Sequence, residues 1–181
     1  MSRLVAVTVA VAALAGCGSG EPAAEPSGPL TEAQAVAACQ KDLTELNSAM
    51  TPRLRERFVV RDGDRQIRIY TSEADKWIST CRVGPSGAEE TFGTVTTDGP
   101  ADKITLYGDL DAVLKAKVLI GKLPAKATGI TAKLPSGRTL TGSRDGDLFL
   151  VWAPDTPVER AVLTATGKDG KVLATVTAPG V

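Results

Sequence analysis

Histidine is absent from the 181 residues, and that absence removes the commonest routes to catalysis. No Ser-His or Cys-His pair can form, and no zinc site of the usual kind. No serine is followed three residues later by lysine, so the Ser-Lys route has no motif either. Aromatic residues are scarce, with two Trp, two Tyr and three Phe. That is too few for a platform on which sugars or bases stack. Lys and Arg total 21 and Asp and Glu total 21, and a chain without a basic excess is not built for nucleic acid. Calcium loops need regularly spaced acids closed by a distal Glu. The two Asp-Gly-Asp stretches at 62–64 and 145–147 supply only turns. No cofactor is implied. No apolar run reaches the ~20 residues of a membrane-spanning helix.

One shorter apolar run does exist. Leu4 to Ala15 reads LVAVTVAVAALA, preceded by Arg3 and followed by Gly16 and Cys17. A basic start, an apolar core of this length and small residues before a cleavage point are the marks of an export signal. Leu14-Ala15-Gly16-Cys17 resembles the lipobox of bacterial lipoproteins. The resemblance implies diacylglyceryl transfer to Cys17, cleavage between Gly16 and Cys17, and N-acylation, for instance by palmitate. Two or more acyl chains hold a protein firmly where one does not. Residues 1–16 are thus expected to be a lipoprotein signal peptide, and the protein to sit on the outer face of the cytoplasmic membrane. Residues 17–29, made of Gly, Ser, Pro, Ala and Glu after the cysteine, cannot bury enough apolar surface to fold and should form a tether.

Two cysteines remain, Cys39 and Cys81. In an exported chain such a pair is expected to form a disulfide. Closing a loop of about 43 residues stabilises the fold by roughly 4 kcal/mol on the chain-entropy model. A metal or redox pair would need further ligands or a C-x-x-C spacing.

The body after the tether, about 150 residues, suffices for one domain with a real core or two small ones. Leu30 to Met50 predicts a helix. Thr31 and Gln34 form a capping box, Leu30 can staple onto Ala35, and Val36, Cys39, Leu43, Leu46 and Met50 share one face. From Arg57 the period becomes two. RFVV and RQIRIY flank a tight Asp62-Gly63 turn, with Phe58, Val60, Ile67 and Ile69 expected to face the helix. KWISTCRV and ETFGTVTT predict further strands, although a short helix opening at Ser72 is an alternative for the first. Residues 30–99 are therefore expected to be a helix packed on a small antiparallel sheet. Residues 100–181 should be an all-β unit, a small sandwich or barrel, either separate from the preceding part or continuous with it as one domain. KAKVLIGKL is ambiguous between helix and strand, and Leu148 to Trp152 is apolar without interruption, as a strand covered on both faces would be. The fold class is α+β, mainly antiparallel β. The last fifty or so residues resemble a segment of exported actinobacterial proteins in their turns and apolar positions, which brings no activity with it.

Chemistry-bearing patterns are few. Paired carboxylates stand at Asp62/Asp64, Glu89/Glu90, Asp109/Asp111 and Asp145/Asp147, and two that met in a cleft could act as acid and base. In Asp-Gly turns they serve equally well as solvated turn residues. Leu134-Pro135-Ser136-Gly137-Arg138 lacks the Thr-Gly of a sortase signal and suits a hairpin turn. Arg53, Arg55, Arg57, Arg61, Arg65 and Arg68 crowd one hairpin. Strict alternation would put Arg57, Arg61 and Arg68 on one outer face, where planar guanidinium forks suit phosphate or carboxylate. Anionic lipid headgroups or wall polymer are the candidate partners of that face. The same pattern fits a solvated sheet face whose arginines pair with local acids. The expected function is a membrane-anchored lipoprotein that displays a small, non-enzymatic binding domain. Two alternatives stay open: an envelope enzyme using paired carboxylates, and an accessory or sensor subunit of a membrane complex. The sequence names no protein partner.

Overall fold

The computed structural model describes residues 30–46, 54–72, 76–107 and 118–180. The expected signal peptide and tether lie outside them. Helix α1 runs Glu32–Leu46. Among the described residues twelve strands follow: β1 Arg55–Asp62, β2 Arg65–Thr71, β3 Trp77–Gly84, β4 Gly87–Thr96, β5 Thr105–Leu106, β6 Val118–Lys122, β7 Ala127–Lys133, β8 Thr139–Thr141, β9 Ser143–Asp145, β10 Leu148–Trp152, β11 Val162–Gly167 and β12 Val172–Thr177. They form three antiparallel sheets, ordered β1-β2-β3-β4, β5-β6-β10-β9 and β12-β11-β7-β8. The described residues are mainly antiparallel β with one helix.

Local chemistry accounts for where these elements start and turn. At the head of α1 the Gln34 amide N–H donates to Thr31 Oγ1 at 3.3 Å, and the Thr31 N–H donates to Gln34 Oε1 at 2.9 Å. This reciprocal pair satisfies two donors that a helix start otherwise leaves open. Strands β1 and β2 meet through a two-residue loop, Gly63-Asp64, with Gly63 at φ +64°. Gly146-Asp147 repeats that loop between β9 and β10, with Gly146 again at φ +64°. A positive φ at the first loop residue matches the right-handed twist of the flanking strands, and glycine adopts it without steric cost. The Leu134–Arg138 stretch is a hairpin turn, closed by Leu134 N–H to Arg138 O at 2.8 Å. The ambiguous run around Val118 is a strand, and so is Trp77–Gly84.

Packing is layered. Ala35, Cys39 and Leu43 of α1 share a buried cluster with Tyr70, Cys81 and Val83 of the first sheet. The opposite face of that sheet, with Phe58, Val60, Ile67, Ile69 and Ile78, packs on Val118, Ile120, Leu148 and Leu150 of the second sheet. The other face of the second sheet, with Leu119, Phe149 and Val151, packs on Ile130, Ala132, Leu140, Leu163 and Ala165 of the third. Strand β10 therefore divides its side chains between two cores, which is why its apolar run is unbroken.

One expectation is reversed. Phe58, Val60, Ile67 and Ile69 face the second sheet, not the helix. The first sheet has two faces to cover, and its continuous aliphatic face needs the broad partner that another sheet provides. The helix covers the face that carries Cys81, to which Cys39 is bonded.

Candidate functional site

The arginine-rich hairpin β1–β2 carries eight charged residues from Arg55 to Arg68. Pairing between β1 and β2 runs regularly from Asp62↔Arg65 to Phe58↔Ile69, and then the register shifts, so that Glu56 pairs with Tyr70. Arg57 is the extra residue of a β-bulge. A bulge breaks the alternation of side chains and re-aims the residue it inserts. Arg57 thus reaches the second-sheet side with Phe58, where its side chain is 2% exposed. Its Nε donates to Asp145 Oδ2 at 2.6 Å, its Nη2 to Asp145 O at 2.6 Å and its Nη1 to Thr71 Oγ1 at 3.3 Å. Arg55 adds a looser contact, Nη2 to Asp145 Oδ1 at 3.5 Å. Asp145 ends β9, so this cluster ties the first sheet to the second.

The other face of the hairpin holds Arg68, whose side chain is fully buried. Its Nη1 donates to Glu56 Oε2 at 2.5 Å, and its Nη2 to Glu32 Oε1 at 2.5 Å and to Gln66 Oε1 at 2.8 Å. Tyr70 donates its hydroxyl to the same Glu56 oxygen at 3.2 Å. Arg61, exposed, donates to Glu32 Oε2 at 3.0 Å. Arg68 Nε is buried without a hydrogen-bond partner among the described residues. One arginine thus joins β1, β2 and the first turn of α1. Hydrogen bonds from Arg68 and then Arg61 hold the Glu32 carboxyl below its ordinary pKa. Burial of Arg68 works against its charge, but the bonds to Glu32 and Glu56 outweigh it and raise its pKa. Burial, reinforced by the Glu56 charge, pushes the Tyr70 phenol up to about 12.

The shared outer face expected of Arg57, Arg61 and Arg68 does not exist. Arg61 and Arg68 lie on the helix side and Arg57 on the second-sheet side. Arg57 and Arg68 are buried. All three are bound to Asp or Glu. The reason is energetic: a buried guanidinium must be paired and hydrogen-bonded, and Glu32, Glu56 and Asp145 meet that need. Sequence reasoning names Asp145 only as half of a carboxylate pair and joins none of these three acids to its arginine. Only Glu32 carried a signal, as the acid in the first helical turn, where the dipole favours negative charge.

The paired carboxylates are dispersed. Asp145 is held by Arg57, Asp147 lies 3.4 Å from Lys122, and Glu89 lies 3.0 Å from Arg65. Asp64 is an exposed turn residue. Asp109 and Asp111, and the side chains of Asp62 and Glu90, fall outside what is described. Among the described residues no three Cys, Asp or Glu gather to hold a metal ion, and no helix is long and apolar enough to cross a membrane.

The thiols form the second site of interest. Cys39 in α1 and Cys81 in β3 are joined by a disulfide, with Cα atoms 5.7 Å apart. It links the helix to the centre of the first sheet, and both cysteines are fully buried. Cys17 lies outside the described residues. No protein-family model matches the chain, and no curated protein is significantly similar to it.

Proposed function

We propose that the chain is an exported bacterial lipoprotein, held on the outer face of the cytoplasmic membrane by lipid on Cys17. Its body, a helix-covered sheet followed by a two-sheet sandwich, is presented from a short tether as a binding or interaction module. The observation that carries this reading is how the thiols are divided. Two of the three cysteines are spent on a buried disulfide, a bond that belongs to compartments outside the reducing cytoplasm. The remaining thiol, Cys17, closes the Leu-Ala-Gly-Cys lipobox, and an unpaired cysteine in an exported chain calls for a role of its own. The helix begins at Glu32, directly after the stretch that reads as a tether. The partner named here is the bilayer. Arg57 and Arg68 do not present their charges to anionic headgroups or wall polymer, because both are buried and paired within the fold.

The test is expression of the full chain with Cys17 and with Cys17→Ala in a bacterium. Membrane fractionation and mass spectrometry of the N-terminal peptide are the readouts. The wild-type chain should be in the membrane fraction, begin at Cys17 and carry diacylglyceryl on its sulfur. The variant should be released or remain an unprocessed precursor. An unmodified Cys17 in mature protein, or a correctly cleaved variant still bound to membranes, would sink the reading.

A further inference from the structure

Among the described residues each sheet has two edge strands, and five of these six edges carry a feature that discourages pairing. β1 bears Arg55, Glu56, Arg57 and Arg61, and β4 bears Glu89. β5, β8 and β9 are two or three residues long. Edges are usually blunted in these ways, by charge, proline or shortness. β12 differs. It is six residues, Val172-Leu173-Ala174-Thr175-Val176-Thr177, without charge or proline. Among the described residues the exposed large apolar side chains are Val162, Val172 and Leu173, all on β12 or its neighbour β11. We propose that β12 is a self-association edge, through which two copies of this chain join their third sheets into one continuous antiparallel sheet.

The backbone fixes the register. Ala178 N–H donates to Ala161 O at 2.8 Å. Hydrogen-bonded pairs alternate along an antiparallel ladder, so Val176 and Ala174 also bond inward to β11, opposite Leu163 and Ala165. The N–H and C=O groups of Thr175 and Thr177 therefore point to the edge that no described strand covers. A second copy laid antiparallel with Thr175 opposite its own counterpart meets those groups with its own. Leu173 of one copy then lies beside Thr177 of the other, and the solvent faces of both sheets fall on the same side. Sliding by two residues one way brings in Pro179, which has no N–H. Sliding the other way centres the pairing toward Leu173, the extra residue where the β11–β12 register shifts. No like charges oppose each other along the seam. Thr141, Thr131, Thr164 and Thr175 form a row across the third sheet, and the twofold continues that row into the second copy.

Cysteine scanning of the full, exported chain tests this register. In a hydrogen-bonded antiparallel pair the Cα atoms lie ~5.5 Å apart, within disulfide range. Thr175→Cys should therefore give a covalent dimer on mild oxidation. Thr177→Cys should not, because its counterpart lies ~13 Å away along the strands. The parent chain, with Cys17 present, is the control. Sedimentation of the detergent-solubilised chain should show a dimer for the wild type and a monomer for Thr175→Lys, which sets two like charges face to face. A monomeric wild type would overturn the proposal. So would equal cross-linking at 175 and 177, or a Thr175→Lys chain that stays dimeric. Thr175 is exposed, and the cysteine experiment stands whether or not the lysine variant folds.

Discussion

Replacing Arg68 with alanine separates an arginine that binds outward from one that holds the fold. Removing one partner of a buried ion pair leaves the other charge without compensation and costs ~3–5 kcal/mol. Here the abandoned carboxylates are not deeply buried, since the side chains of Glu32 and Glu56 are 55% and 33% exposed. Water recovers part of their solvation, which brings the expected loss to ~2–3 kcal/mol. Arg61→Ala is the internal standard. Arg61 also pairs with Glu32, but its side chain is 60% exposed, and such surface pairs contribute ~0–1 kcal/mol. Urea unfolding at neutral pH with the disulfide intact measures both. At roughly 2–4 °C per kcal/mol for a body of this size, Arg68→Ala should melt about 4–12 °C lower. The pH dependence carries a further signature. Glu32 has a folded pKa below its reference value of 4.5. Its stabilising effect is therefore complete above that pH and is lost as pH falls through the lower folded value. The gap between wild type and Arg68→Ala should accordingly narrow below pH 4.5. Equal losses for Arg61→Ala and Arg68→Ala, or a gap that widens in acid, would refute the reasoning.

Replacing both Cys39 and Cys81 with alanine should cost about 4 kcal/mol, the loop-closure estimate for a sequence separation of 42; a denaturation midpoint unchanged from wild type would show that the bond constrains nothing. Gly146→Ala should destabilise more than Gly63→Ala, although both glycines sit at φ +64°. Both variants bear a left-handed backbone cost of ~1–2 kcal/mol, but a Cβ at 146 also lies 3.2 Å from Arg57 Nη2, whereas one at 63 meets nothing within 4 Å. Denaturation curves for the two variants compare them directly, and equal losses would mean that the Arg57 clamp on Asp145 adjusts freely.

Local signals along the chain were enough for the parts that depend on neighbours in sequence. Thr31 and Gln34 announce a helix start because they satisfy each other's backbone within one turn. Asp62-Gly63 and Asp145-Gly146 announce hairpins because glycine there can take a positive φ. Two cysteines behind a leader that reads as an export signal announce a bond, and Leu148–Trp152 announces a strand covered on both sides. Tertiary structure alone decided which face goes inward. A period of two says that Phe58, Val60, Ile67 and Ile69 lie together, and it does not say whether a helix or a second sheet covers them. The arginines show the same limit more sharply. One inserted residue at the β1 bulge sends Arg57 to the opposite side from the one that alternation assigns. Arg68 is buried because Glu32, 36 positions away, closes over it, and Arg57 because Asp145, 88 positions away, receives it. Whether an arginine is a surface ligand or a structural tie depends on acids that only folding brings within 3 Å.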